Sequence, residues 1–307
     1  MTPQRLHIVG MYLFCTVVWG SSYFAVRQQI GPVRLEISLL YRLCIAAMIF
    51  VAIVAVTRRW RRLAVSDHLG IMAFGWCNMA LGYLLLYQAA SHMTSAFVVI
   101  IFSTKVVMTA VAVSLFLRTP LEKRVLQGGA IGLAGIVVLL WPQLSAASGH
   151  VSWVGLGLAM LGTIVTALGD VASARNSRAG VDPMQANVLG LVHAILLLAV
   201  LAGWFGWPLA YDPSVSYGAS LVYLAVFGSV VAWTFYLHLV RELGPSRSGY
   251  MVALFPAVGA TFSAAFEGLA ITGELLIGLA LAIVGNLVAM RRPASVQPGQ
   301  AKIMKAA

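Results

Sequence analysis

Residues 97–117, FVVIIFSTKVVMTAVAVSLFL, decide how the rest of the chain is read. Every position except Lys105 is apolar or carries a small hydroxyl, and the run is long enough to cross a hydrocarbon core of ~30 Å as one helix. Lys105 lies about twelve residues from either end of the full span, 93–117, ~18 Å at the helical rise, a distance its side chain cannot cover by snorkelling. A lysine at this depth costs about 2.5–3.5 kcal/mol on insertion. It must face a cavity or a polar partner, either in a functional role or as a structural lysine held by carbonyls and hydroxyls.

The flanking sequence has the same character. The chain is 61% hydrophobic and 9% charged over 307 residues, against about 25% charged in soluble domains, so it cannot cover a water-facing surface. Ten apolar runs follow one another at about 6–28, 35–57, 66–90, 93–117, 121–141, 152–174, 184–205, 216–240, 245–267 and 272–290. The expected fold is an all-α integral membrane protein of ten transmembrane helices. The first run has no small-residue cleavage site and reads as a retained span. The net charge of +11 does not imply nucleic acid, because Lys and Arg stand in short clusters between apolar runs and not on one folded face. Cys15, Cys44 and Cys77 lie singly within runs without metal spacing, and no cofactor is expected.

The basic residues orient the spans. With the first end inside, inner segments hold sixteen of the twenty Lys and Arg, among them Arg58, Arg59, Arg61, Arg62, Arg118, Lys123 and Arg124. The outer loops hold only Arg27 and Arg34, while Arg42 and Lys105 lie within spans. This bias predicts both termini in the cytoplasm of a bacterial inner membrane protein.

The chain also resembles itself at a shift of about 150 residues. Ser95-Ala96-Phe97 parallels Ser248-Gly249-Tyr250, Phe102-Ser103 parallels Phe255-Pro256, and Glu122 falls near Glu274. Pro32 and Arg42 keep the spacing of Pro183 and His193. Five spans per copy is odd, so the second copy enters the membrane upside down. Two inverted five-helix repeats, 1–146 and 147–291, are expected, followed by a disordered cytoplasmic tail over 292–307. Transporters use this architecture, with a site between the repeats.

At this point particular residues carry a resemblance. Trp19-Gly20-Ser21-Ser22-Tyr23-Phe24, Tyr41-Arg42, Ala89-Ala90 with Thr94-Ser95-Ala96, and Gly273-Glu274 resemble signatures of the EamA-type drug/metabolite transporter superfamily. Within it the chain is most similar to the YddG-type aromatic amino-acid exporters. The resemblance covers about residues 6–290. It implies a ten-helix inner-membrane carrier with spans 1–4 and 6–9 around a central cavity and spans 5 and 10 at the periphery. One departure stands out: the mid-span proline of the second copy, Pro256, is Ser103 in the first, which weakens the case for a symmetric rocking motion.

Candidate substrate-binding residues are Trp19, Ser22, Asn78, Tyr83, Phe102, Lys105 and Trp233. Ring faces suit an apolar or aromatic solute, hydroxyls and Asn78 offer hydrogen bonds, and Lys105 offers a charge for a carboxylate. Its alternative role is as counter-ion to Asp170 or Glu267. Candidates for gating or coupling are Arg42, His193 and Pro256, the last through a helix kink. Arg42 is shallow enough for snorkelling or for pairing with Glu36 or Glu267, and His193 could be a plain interhelical hydrogen-bonder. Asp170 is expected to pair with Arg175 or Arg178. Gly128 and Gly132, and Gly278 with Ala282, have the spacing of tight helix contacts.

The function expected is secondary transport by alternating access, exporting amino acids, aromatic and other large neutral ones, or related small metabolites. The alternatives are another metabolite class of the superfamily or a membrane-embedded enzyme. An enzyme would need clustered carboxylates or a nucleophile with its base, and the nine acids are scattered. A phosphate loop is absent from the sequence, so ATP is not the direct energy source. The partners expected are a small-molecule substrate and membrane lipids, and the oligomeric state stays open.

Overall fold

The structure is a computed structural model that describes residues 3–57, 63–145, 152–243 and 248–290. Arg58, Arg59, Arg61, Arg62, Arg247 and the tail read as disordered lie outside the described residues. The described residues form the helices α1 Arg5–Arg27, α2 Leu35–Val56, α3 Val65–His92, α4 Ser95–Leu117, α5 Lys123–Ser145, α6 Trp153–Arg178, α7 Pro183–Trp204, α8 Val215–Leu243, α9 Met251–Phe266 and α10 Gly273–Met290. Eight of these are long and apolar enough to cross a membrane, α9 is a shorter apolar helix, and α5 runs 23 residues. Regular structure among the described residues is helical throughout.

Local chemistry sets the ends. Asp182 accepts from the amides of Met184 and Gln185 with Pro183 at the first turn of α7, and Ser214 and Ser152 cap α8 and α6 in the same way. α6 continues past the apolar limit near residue 174 to Arg178, because its polar last turn stays helical up to Gly180 at φ +75°. That extension moves Asp170 from one turn to two turns inside the helix.

Several helices depart from α geometry in mid-course. α3 widens into a π-helical stretch over Gly75–Leu81, and α8 does so over Tyr223–Val231. Such turns displace the ladder by one residue and free carbonyls for other partners. A 3₁₀ turn, Tyr250–Leu254, leads into α9, which becomes α-helical from Phe255 with Pro256 in the first turn. α4 is interrupted too, between Ser95–Ser103 and Lys105–Leu117, although it lacks a proline. There the hydroxyls of Ser103 and Thr104 bond back to the carbonyls of Ile100 and Ile101 at 2.7 and 2.6 Å, as hydroxyls that bend helices do. The expected contrast between Pro256 and Ser103 is therefore smaller in the fold than in the sequence.

Packing follows small residues. α1 crosses α9 at Gly20, where a Cβ would sit 2.6 Å from that of Val258. α2 lies on the wide turn of α8, and α7 lies on the wide turn of α3, where Gly75 abuts the Gly190 carbonyl. α6 lies against α3 and α4, as α1 lies against α8 and α9. α5 and α10 pack on each other, with Gly128 and Gly135 set against the backbone of Gly285 and Gly278. The glycine spacing read as a tight contact thus closes within one chain.

Candidate functional site

Lys105 begins the second half of α4, half-way along the rod. Its Nζ lies 3.0 Å from Asp170 Oδ1 on α6, with the two side chains 18% and 28% exposed. The carboxylate is held on three sides. Asn78 Nδ2 donates to Oδ1 at 2.6 Å and Thr109 Oγ1 donates to Oδ2 at 2.8 Å. Asn78 reaches it because it lies in the wide turn of α3, which packs on Gly169, next to Asp170. Asp170 therefore pairs with Lys105, the alternative expected for the lysine, and not with Arg175 or Arg178; Arg175 Nη1 bonds the Ser66 carbonyl instead. The physical reason is depth: two turns inside α6, Asp170 faces α3 and α4, while Arg175 stands at the helix end.

Ring faces surround this pair. The Lys105 ammonium lies 5.6 Å from the Phe102 ring centre, and Phe102 meets Tyr23 edge-on at 5.9 Å. On the other side Tyr236 of α8 lies within electrostatic reach of Asp170. Tyr236 packs edge-on against Trp19 and Trp233, at 5.5 and 5.8 Å between ring centres. Trp19 also meets Trp233 at 5.9 Å and Phe255 at 6.1 Å. Its indole nitrogen donates to the Gly228 carbonyl at 2.9 Å, an acceptor in the wide turn of α8.

A second polar centre lies nearer one end of the bundle, the end that carries Glu267. Arg42 of α2 is buried at 5% exposure. Its Nε donates to Ser229 Oγ and its Nη1 to the Tyr87 hydroxyl, both at 3.1 Å. The guanidinium carbon lies 5.1 Å from the ring centre of Tyr83 and 6.0 Å from that of Tyr87. The other wide turn builds this centre, since Ser229 belongs to it and bonds back to the Leu224 carbonyl. Snorkelling or a bridge to Glu36 or Glu267 does not account for Arg42. Glu36 is taken by Arg34 and Gln88, and Glu267 by Arg27.

Glu267 ties that end together. Its Oε1 forms an ion pair with Arg27 at 3.2 Å, and its Oε2 accepts from the Ser95 amide at the start of α4 at 2.9 Å and from Ser263 Oγ. Ser263 in turn meets Ser95 Oγ and the Ala96 amide, each at 2.9 Å. Arg27 also donates to the carbonyls of Ala90 and Met93. Four helices, α1, α3, α4 and α9, are cross-linked there.

Of the residues singled out from the sequence, Trp19, Asn78, Tyr83, Phe102, Lys105, Trp233 and Arg42 fall into these two neighbouring centres. Ser22 bonds to Val18 of its own helix and sits beside Gly228. Pro256 adjoins Phe255 on the ring cluster. His193 stands apart, facing His68, and its backbone carbonyl accepts from Trp76. Sequence reasoning missed Thr109, Ser229 and Tyr236's link to Asp170. Among the described residues no cluster of His, Cys, Asp and Glu could hold a metal ion.

Against this geometry the family comparison is decisive. The model of the EamA-like transporter family matches residues 7–141 and again 153–291. The chain belongs to the EamA-like transporter family. Curated relatives include the uncharacterized inner membrane transporter YedA of Escherichia coli strain K12, 25% identical over 291 residues, 93% of this chain and 89% of that protein. YedA of Escherichia coli O157:H7 matches to the same extent. A solved crystal structure of 18% identity superposes with a TM-score of 0.63 over 92% of this chain and 96% of the other, which speaks for the fold alone.

Proposed function

We propose that this EamA-like transporter exports amino acids, aromatic and other large neutral ones, across the bacterial inner membrane by alternating access between two inverted five-helix repeats. The observation that carries the reading is the mid-depth site itself. Lys105, Asn78 and Phe102 come from the first half of the chain, and Asp170, Trp233 and Tyr236 from the second, so one charged pair walled by rings sits between the halves. Intramembrane charges facing one another at such a junction are functional by default. The double match of the family model, the paired wide turns of α3 and α8, and the reciprocal packing of α2 on α8 and α7 on α3 support the repeat. The similarity to the inner membrane transporter YedA supports an inner membrane location, and the distribution of Lys and Arg supports cytoplasmic termini.

In this reading the Glu267 knot closes the outer end, and Lys105 serves as internal counter-ion to Asp170 in the resulting state. Pro256 and the 3₁₀ turn before it supply the bend of α9, and His193, midway along α7 beside His68, is assigned to coupling. The ring faces favour large neutral solutes over sugar phosphates, which call for paired cationic donors. Purified protein in liposomes preloaded with phenylalanine should take up labelled phenylalanine by saturable counterflow, competed by methionine and not by phosphate esters. Counterflow with a phosphate ester and none with phenylalanine would reject the substrate class. Pro256→Ala should reconstitute normally and transport several-fold more slowly.

A further inference from the structure

The two intramembrane cations are not equivalent, and their difference assigns a role. Lys105 is neutralised, with a carboxylate at 3.0 Å that is itself held by Asn78 and Thr109. Arg42 is more deeply buried, yet no carboxylate lies within ion-pair distance of it among the described residues. A buried charge without a counter-charge is expensive, and rings and hydroxyls repay only part of that cost. Two of its five N–H donors are used, on Ser229 and Tyr87, while Nη2 makes no hydrogen bond among the described residues. Beside Nη2 stands Gly228, whose missing side chain leaves a methyl-sized gap bounded by Nη2, Ser22 Oγ and the Tyr223 carbonyl. A Cβ there would lie 3.8 Å from Nη2 and 3.9 Å from Ser22 Oγ.

We propose that Arg42 is the receptor for the solute's carboxylate: the anion docks on the open side of the guanidinium, between the Tyr83 face, Ser22 and Gly228, and Lys105 does not take it. The proposal rests on the transporter reading above and names the group that recognises the solute's charge. A guanidinium presents parallel N–H donors that match the two oxygens of a carboxylate, which an ammonium cannot do. One uncompensated positive charge calls for one negative charge, so the preferred solute carries a single carboxylate and not a phosphate dianion. Trp19, whose indole is bonded to the Gly228 carbonyl, places an apolar wall beside the same gap, suited to the solute's body. The carboxylate would sit about 10 Å inside α2, seven residues from its start at 1.5 Å each.

Thermal unfolding of the full chain in lipid nanodiscs tests this, because a ligand that binds only the folded state raises Tm with its concentration. The probes are L-phenylalanine, 3-phenylpropanoate, which lacks the ammonium, 2-phenylethylamine, which lacks the carboxylate, and sodium chloride at matched ionic strength. Phenylalanine and phenylpropanoate should each raise Tm by several degrees, and phenylethylamine and chloride should not. Arg42→Gln should weaken the apparent affinity for phenylpropanoate at least tenfold, and Arg42→Lys should retain part of it. Lys105→Met should keep the phenylpropanoate shift while transport falls. A shift kept in Arg42→Gln, or lost in Lys105→Met, would overturn the assignment. So would no shift by either carboxylate, or an equal shift by the amine or by chloride, and these wild-type comparisons decide even where a variant fails to fold. An Arg42-dependent shift without phenylalanine counterflow would reject amino-acid export and leave the receptor standing. Counterflow without such a shift would do the reverse.

Discussion

Arg42 and Lys105 sit in neighbouring centres, each served by one of the two wide helical turns, and they are stabilised by different means. Lys105 has Asp170 at 3.0 Å, in a pair 18% and 28% exposed whose carboxylate is also held by Asn78 from the wide turn of α3. Arg42, 5% exposed, has the hydroxyls of Tyr87 and Ser229, two ring faces and no acid among the described residues. The first arrangement is complete without a solute. The second leaves a net positive charge in a low-dielectric interior, where an incoming anion is attracted more strongly than in water. Charge depth alone does not separate the two cations; the presence of an internal counter-ion does.

The largest effect should come from stranding Lys105. Asp170→Asn removes the counter-charge while the ammonium stays at mid-depth, and breaking a buried pair from one side costs about 3–5 kcal/mol. Because this pair is partly exposed, the loss should fall at the low end of that range, read as a drop in Tm together with loss of counterflow. Lys105→Met in the same chain should recover most of the stability, so that a double-mutant cycle shows coupling of at least about 1 kcal/mol. Additive losses would mean that the two groups do not interact.

Arg42→Met should behave in the opposite sense. It removes a charge that no acid balances, so stability should stay within about 1 kcal/mol of wild type or rise, while transport falls by tenfold or more. A collapse of stability comparable to that of Asp170→Asn would erase the distinction between the two cations. The smallest effect concerns the turns that serve them. Asn78→Ala deletes one hydrogen bond to Asp170 and should cost about 1–2 kcal/mol, and Ser229→Ala, which leaves Arg42 its tyrosine partners, about 0.5–1 kcal/mol. Thermal unfolding of both variants in lipid measures the order.

The long apolar runs were legible because membrane thickness imposes a length that few other constraints mimic, and the eight membrane-length helices fall on them. Arg42 and Lys105 were legible for the related reason that charge at depth needs an explanation. Asp170 was misjudged because hydropathy ends near residue 174 while the helix, through Arg175, Asn176, Ser177 and Arg178, does not. Thr109 and Ser229 were invisible, since hydroxyls in spans usually bond to their own helix, as Ser22 does here. The wide turns of α3 and α8 have no local signature: Gly75 is one glycine among 29, and only its contact with Gly190 gives it a role. What could not be read from the sequence is what depends on a partner helix.

The seam between α5 and α10 has a mechanical consequence. Gly128 and Gly135 face Gly285 and Gly278 without intervening side chains, so the two backbones touch at two levels along their length. Rods in contact at two heights resist sliding, because each glycine sits in a notch cut for the other, and resist parting, because nothing is there to fill the gap. One rod closes the first half of the chain and the other closes the second, so the seam fastens the two halves to each other backbone to backbone, as a hinge plate fastens a door to its post.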